Sequence, residues 1–426
     1  MIIKNFKKLA TTYKKNLALM ILEQGLRAAM PDTPLKKIIK KNYLVVGKQK
    51  TPLKNYDRIY VVAIGKAADL MTSITNSITK IDGGIVVIPN DTSSMLRSKK
   101  FILLRANHPI PDEKSITASK KTISFLDKLK ATDFVIFLIS GGASSLLSLP
   151  DGVSLKEKQD TIKLLLKSGA NIQEINCVRK HLSKVKGGKL VESLKCHAVA
   201  LVMSDVVGDD LSSIASGMTY YDSTTFYDAK KILLRYGLRN KIPQRVWQRI
   251  DNGTKKLINE TIKKAKVKNY VISSNKDCLD EMSKYAKMSG MNTRIISQIS
   301  GSVESTASKL AKLFTSKPNS CLIFGGETTV KVKGKGTGGR NQELVLYLLN
   351  RFSKKPNIIV ASVGTDGIDG NTNAAGAIAT SNDFSKTMKK YLHNNNSYAF
   401  LKKHGGLIFT GPTHTNLMDV GLILRN

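Results

Sequence analysis

Phe134–Leu147 reads FVIFLISGGASSLL. From Phe134 to Ile139 every residue is apolar and polar positions do not alternate with apolar ones, so both faces of the segment are apolar. That is the pattern of a strand covered on both sides, as in a parallel sheet flanked by helices. The run breaks into Ser140, Gly141, Gly142, Ala143 and Ser144 and then resumes a helical pattern. Working outward, similar short runs occur at Tyr60–Ile64, Gly84–Ile88, Phe101–Leu104 and His197–Met203. Helical stretches separate them, at Ala67–Ile78, Ser115–Leu129, Leu155–Lys167 and Arg179–Leu194. Strands alternating with helices predict an α/β fold on a parallel sheet.

A first helix is expected over Lys15–Met30, ended by Pro31. Thr224–Ala265 is polar and largely helical and reads as a connector between domains. A second, more mixed series of strands follows: Tyr270–Ser273, Thr293–Ile296, Cys321–Phe324, Thr328–Lys333, Ile358–Val363 and Gly406–Phe409. With 426 residues the chain exceeds one ordinary core. The expectation is two α/β domains, 1–250 and 251–426.

Lys and Arg total 68 against 32 Asp and Glu, a net charge of +36. The lysines are spread in short pairs along the chain, and no basic stretch is interleaved with aromatics as a stacking platform would be. A lysine-rich surface that gathers anionic small molecules is therefore expected, with no specific nucleic-acid partner. No apolar run approaches the roughly 20 residues of a spanning helix, so no membrane partner is expected. Cys177, Cys196, Cys278 and Cys321 lie far apart with no C-x-x-C pair, which points to a reducing cytoplasm.

Chemistry gathers where the strands end. Gly65 and Lys66 follow one strand, Ser140–Ser144 another, and Ser204, Asp205, Gly208 and Asp209 a third. In the second half, Gly325, Gly326 and Glu327 follow one strand and Asp366 and Asp369 another. Ligands of open parallel sheets bind at such carboxyl ends. Backbone amides and hydroxyls of Ser140–Ser144 suit a phosphate. Asp205, Glu327 and Asp366 are candidates for a magnesium ion or for accepting a proton, with Asp209 and Asp369 the better candidates for caps or turns. Lys66 follows a buried strand, an expensive place for an unpaired ammonium. Arg340 opens a helix, where the macrodipole disfavours a cation unless an anion lies between. Both suit a transferring phosphoryl group.

The loop GKGTGGRNQELVL, Gly334–Leu346, fits G-x-G-x-x-G literally. A dinucleotide fingerprint should follow a buried strand and be followed by an acid about 20 residues later. The preceding TTVKVKG alternates, and Asp366 and Asp369 come later than that spacing. A different anion is expected there.

Seven stretches together resemble the MOFRL-type (class II) glycerate kinases: ISGGASSLL, VRKHLSKVKGGKL, SDVVGDDLSSIASGMT, GGETTV, GKGTGGRNQELVL, VGTDGIDGNTNAAGA and GPTHTNLMDV. The resemblance spans nearly the whole chain in the family's order. It implies ATP-dependent phosphorylation of D-glycerate, usually to 2-phosphoglycerate, with ATP and Mg2+ required. The implied architecture is a Rossmann-like three-layer N-terminal domain and a MOFRL-type α/β C-terminal domain, with the active site in the cleft between them. By the resemblance, Lys66 contacts substrate or phosphate and Arg340 assists phosphoryl transfer; Asp205 joins them as the third catalytic candidate on the reading of the strand-end carboxylates. Phosphate or nucleotide contacts fall to Ser140, Gly141, Gly142, Ala143, Ser144, Gly336, Gly338, Gly339 and Asn341. Asn107 and His108, in RANHPIPDEKS, join Lys66 and Arg340 as glycerate contacts. Asp205, Glu327 and Asp366 are the magnesium candidates. Met218, His414, Asn107 and Cys177 depart from the family pattern, so the substrate range is more open than the kinase reaction. A relative's label, NAD(P)H-dependent hydroxypyruvate reductase, is the alternative. The partners expected are D-glycerate and ATP, with a homodimer left open as the assembly.

Overall fold

The computed structural model describes residues 1–315 and 317–425. It divides into two compact units, Pro31–Ile272 and a second unit that joins Met1–Met30 to Ser273–Asn426. The expected division at residue 250 is corrected at both ends. Helices Phe226–Arg235 and Gln244–Thr254 are no connector, because Phe226, Leu233, Val246 and Ile250 close a core over Leu165, Ile175 and Val178 of the same unit. The first helix, Tyr13–Ala28, belongs instead with the C-terminal segment. It packs on helix Asn275–Met288 so closely that a Cβ added at Gly25 would lie 2.6 Å from the Met282 sulfur.

In the unit Pro31–Ile272, three short antiparallel strands, β1 (Ile39–Lys40), β2 (Tyr43–Val46) and β3 (Gln49–Pro52), form a minor sheet. The main sheet has β4 (Ile59–Ile64), β5 (Gly83–Pro89), β6 (Phe101–Ala106), β7 (Phe134–Ile139), β8 (His197–Met203) and β9 (Lys268–Ser273). Their spatial order is β6-β5-β4-β7-β8-β9, and the pairs from β6 to β8 are parallel. Counted from β4, this is 3-2-1-4-5-6, the order of a doubly wound dinucleotide fold. The chain leaves β4 in one direction and returns on its other side at β7, so the order reverses between these two strands. β7 is buried throughout, as its unbroken apolar run requires.

One expected helix differs. Arg179–Leu194 is not helical along its length: helix Ile172–His181 ends there, and Gly187 and Gly188 then turn the chain with φ of 61° and 82°. Those left-handed positions suit glycine and interrupt a helix.

The second unit carries β10 (Asn292–Ser302), β11 (Ser320–Thr329), β12 (Ile358–Gly364), β13 (Gly376–Thr380), β14 (Leu407–Ile408) and β15 (Asp419–Arg425) in the order β10-β11-β15-β12-β13-β14. Only β10 and β11 pair in parallel among these neighbours. β15 is internal and pairs on both edges, so the last residues of the chain hold the centre of the sheet. Helix Arg340–Arg351 covers it with Leu344, Val345, Leu348 and Leu349 fully buried.

Candidate active-site loops

The reversal point of the parallel sheet lies between β4 and β7, and the loops leaving these strands are bonded together. Lys66 N donates to Gly141 O at 2.9 Å, and Ala67 N donates to Ser140 Oγ at 3.0 Å. Gly65 has φ 131°, and a Cβ there would meet Ser140 Oγ at 2.2 Å, so only glycine permits this approach. Ser140 is thereby a buried support that fixes the two loops. Gly142, at φ 84°, faces His108: an added Cβ would lie 3.0 Å from its Cδ2 and 3.6 Å from Lys66 Cγ. Ser145 Oγ donates to Pro109 O at 2.7 Å and ties the loop after β6 to the same place. The structure thus brings together Lys66, His108 and Gly141–Ser144. The amides of Gly141 and Gly142 donate to no acceptor among the described residues, which leaves donors facing outward from a strand end. Asn107 is exposed, its amide donating to Asp112 Oδ1 at 3.3 Å, and Asp205 is half-buried beyond β8.

A hydrogen-bonded chain that no single motif announced supports the Ser140–Ser144 loop. Lys186 Nζ donates to Ser144 O at 2.7 Å and Ser144 Oγ at 3.0 Å, and Ser144 Oγ meets Ser216 Oγ at 2.8 Å. Ser216 Oγ donates to Asn176 Oδ1 at 3.1 Å, which also accepts from Arg179 Nη1 at 2.9 Å. Segments far apart in sequence are fastened in this way to one strand-end loop.

In the other unit the glycine loop is built differently from the expected cradle. Lys333 N and Gly334 N donate to Asn395 Oδ1 at 2.7 and 2.9 Å, and Lys335 N to Asn394 Oδ1 at 3.1 Å. Gly336 N donates to Asn394 O at 2.9 Å, Thr337 N to Asn396 Oδ1 at 3.3 Å and Gly338 N to Asn371 Oδ1 at 3.1 Å. The glycines are needed because the loop lies against Asn394–Ser397: a Cβ at Gly338 would meet Ser397 Oγ at 2.2 Å. A Cβ at Gly339 would meet Asp369 Cγ at 2.2 Å. The nucleotide role expected of Gly336 and Gly338 is corrected on this geometry, since their amides are already used. Asn341 is likewise buried, donating to Asp369 Oδ1 at 3.2 Å and accepting from Ser362 Oγ at 2.6 Å. Asp369 caps the helix, taking Asn341 N at 3.0 Å and Gln342 N at 2.9 Å. The capping reading of Asp369 holds.

Arg340 stands at the start of this helix, and the anion that offsets the unfavourable dipole comes from the protein. Asp419, at the head of β15, takes Nε at 2.6 Å and Nη2 at 3.0 Å in a two-point fork, and Glu327 takes Nη1. Burial pushes Asp419 up to about 7, against the pull of Arg340. Arg340 is raised in turn, since Asp419 and Glu327 outweigh the burial that would lower it. Asp419 was missed by the reading of loops after strands, because it opens its strand instead of following one. It lies inside the quoted stretch GPTHTNLMDV, and an acid entering an apolar run was the available signal.

Among the described residues no three His, Cys, Asp or Glu side chains converge as a metal cage. Glu327 is engaged by Arg340, and Asp366 Oδ1 accepts Ile368 N at 3.1 Å within its own turn.

The MOFRL family matches residues 320–419, and the Domain of unknown function (DUF4147) matches residues 17–251. The chain belongs to the MOFRL-type glycerate kinase family. It is 38% identical to a glycerate 2-kinase of Pyrococcus horikoshii, over 95% of this chain and 96% of the relative. It is 39% identical to a D-glycerate 2-kinase of Thermotoga maritima, over 96% of this chain and 98% of that protein. The crystal structure of glycerate kinase from Thermotoga maritima superposes with a TM-score of 0.83, covering 97% of this chain and 99% of that one. The two α/β units are therefore the family's architecture.

Proposed function

We propose that this chain transfers the γ-phosphoryl group of ATP, supplied with Mg2+, to D-glycerate, giving 2-phosphoglycerate. The full-length similarity to glycerate 2-kinases carries the reading, and the loops at the β4/β7 reversal supply its chemistry. Lys66 offers a cation beside the open amides of Gly141 and Gly142, a combination suited to phosphoryl oxygens. His108, against Gly142, is proposed to contact glycerate, with Asn107 next to it at the loop surface. Arg340 is proposed as the second cation: Asp419 aims its fork, while the exposed Glu327 can yield its place to a phosphoryl oxygen. Asp205 and Asp366 are the proposed proton acceptors for the attacking hydroxyl, or contacts to the nucleotide's magnesium. The occupied amides of Gly334–Gly338 favour neither a dinucleotide nor a triphosphate at that loop.

The test is purified protein with ATP, Mg2+ and D-glycerate, the product identified by phosphorus NMR. The 2-phosphoglycerate signal is the expected result. The 3-phosphoglycerate signal would keep the kinase and overturn the position of attack. Oxidation of NADH by hydroxypyruvate without phosphoryl transfer would replace the proposal with the reductase.

A further inference from the structure

Helix Leu155–Lys167 has an apolar stripe at Leu155, Ile162 and Leu165, and a lysine stands in it, Lys158. Only 4% of Lys158 is exposed, and its Nζ has no hydrogen-bond partner among the described residues. An unpaired buried ammonium is unfavourable by several kcal/mol, so its retention asks for an explanation. Lys158 lines a cavity of about 370 Å³ within the unit Pro31–Ile272.

 

Arg179 and Lys186 line the same cavity, with Ser144 beside them, and none of its lining residues is a carboxylate. Lys186 is 1% exposed and held by Ser144 and by Leu147 O at 3.4 Å. Burial first, then the neighbouring Arg179 and Lys189, push Lys158 down to about 7, with Asp151 pulling the other way. Burial and then Lys158 and Arg179 lower Lys186 as well. The apolar part of the lining is Ile110 and Pro111, with Leu155 and Ile162 flanking Lys158 on its own helix.

We propose that this cavity binds a small phosphate monoester, its dianionic phosphate on Lys158 and Arg179 with Lys186 adding its charge nearby, and its carbon skeleton on the apolar residues. Several cations without a carboxylate match a dianion better than a monocarboxylate, and an arginine fork with two ammonium groups suits tetrahedral oxygens. The phosphate can come from an organic monoester, such as the product of a kinase of hydroxy acids, or from inorganic phosphate. The cavity adjoins Ser144 and Ser145 of the proposed phosphate loop, so the inference rests on that reading of the loop, while its test reads binding without ATP or turnover.

The test is calorimetric titration of the full-length chain with 2-phosphoglycerate, inorganic phosphate and D-glycerate, each without nucleotide. The monoester is expected to bind more tightly than inorganic phosphate, with D-glycerate weakest. Lys158→Met removes the unpaired charge and keeps the apolar stem, so it should raise the melting temperature while weakening monoester binding about tenfold or more. Arg179→Gln should weaken binding in the same way and serves if the first variant does not fold. Unchanged affinity in a folded variant would overturn the site. Equal affinity for monoester and inorganic phosphate would overturn the role of the apolar residues, and D-glycerate binding as tightly as the monoester would overturn the dianion.

Discussion

In the proposed reaction Arg340 and Lys66 supply the positive charge, and the structure holds the two residues in different ways. Lys66 N donates to Gly141 O, and the Arg340 guanidinium is forked by Asp419. Removing a cation that meets charge developing in the transition state typically costs about 10²–10³ in kcat. Lys66→Ala and Arg340→Lys are therefore expected to lose about that much turnover, the second because an ammonium cannot reproduce the fork. Steady-state kinetics decide it, and near-normal kcat in either variant removes that residue from the mechanism. Asp419 adds a pH dependence. Its folded value of about 7 lies above that of an unfolded aspartate, about 3.9, so the folded form binds the proton more tightly. Its stabilising contribution is present below about pH 4 and is lost as pH rises toward 7. Function runs the other way: protonation below about 7 weakens the hold on Arg340. The kcat profile should fall on the acid side with a midpoint near 7, and Asp419→Asn should abolish that limb while lowering the plateau. An acid limb that survives unchanged in the variant belongs to another group.

At the scale of elements, the loop Lys333–Gly339 shows how a motif can be legible and its role concealed. The glycines were visible, but not the neighbour that requires them. Asn394, Asn395 and Asn396 follow helix Met388–His393 and use their side chains as acceptors for the loop's amides, a long-range pairing that spacing does not encode. Hydrogen exchange should therefore find Lys333, Gly334 and Gly338 amides protected, unlike those of an open glycine loop. Asn395→Ala strands two of these amides and the buried contact to Glu343 Oε1 at 2.8 Å, so it should destabilise the unit by about 2–3 kcal/mol and release that protection. Fast exchange of these amides in the unmodified protein would contradict the assignment. What sequence did convey is the first sheet: unbroken apolar runs placed β4, β5, β7 and β8, because a strand covered on both faces has few polar positions to confuse, and the edge strand β6 carries the same kind of run although Ile102 and Leu103 are exposed. β15 escaped notice, since a single strand at the chain end has no following turn to mark it. Its central place depends on pairing with β11 and β12, about 50–100 residues upstream, a feature of topology rather than pattern.

For the molecule as a whole, the discontinuous unit yields the sharpest test. Sequence order suggested a simple halving of the chain, because local patterns say which segments are helical but not which core receives their apolar face. The segment Met1–Met30 is fastened to the C-terminal part at many points. Leu17, Leu19, Ile21, Leu22 and Leu26 are buried, and such side chains contribute about 1.5–3 kcal/mol each when fully covered. Lys4 N donates to Phe409 O at 2.8 Å, Asn5 Nδ2 to Leu407 O at 2.8 Å, and Thr415 Oγ1 to Ala29 O at 2.7 Å. Glu23 is buried as well, accepting Ile2 N at 2.7 Å and Ile3 N at 3.1 Å. A fragment 273–426 would expose the surface that this helix covers, whereas a fragment 31–272 keeps its main sheet and the core closed by Phe226, Leu233, Val246 and Ile250. Fragment 31–272 should therefore unfold cooperatively on heating. Fragment 273–426 should lack a cooperative transition and regain one when residues 1–30 are joined to it by a flexible Gly/Ser linker in place of the intervening unit. Calorimetry of the three proteins distinguishes the cases. Should 273–426 melt cooperatively at the same temperature with and without residues 1–30, the first helix would be an accessory to that unit rather than part of its core.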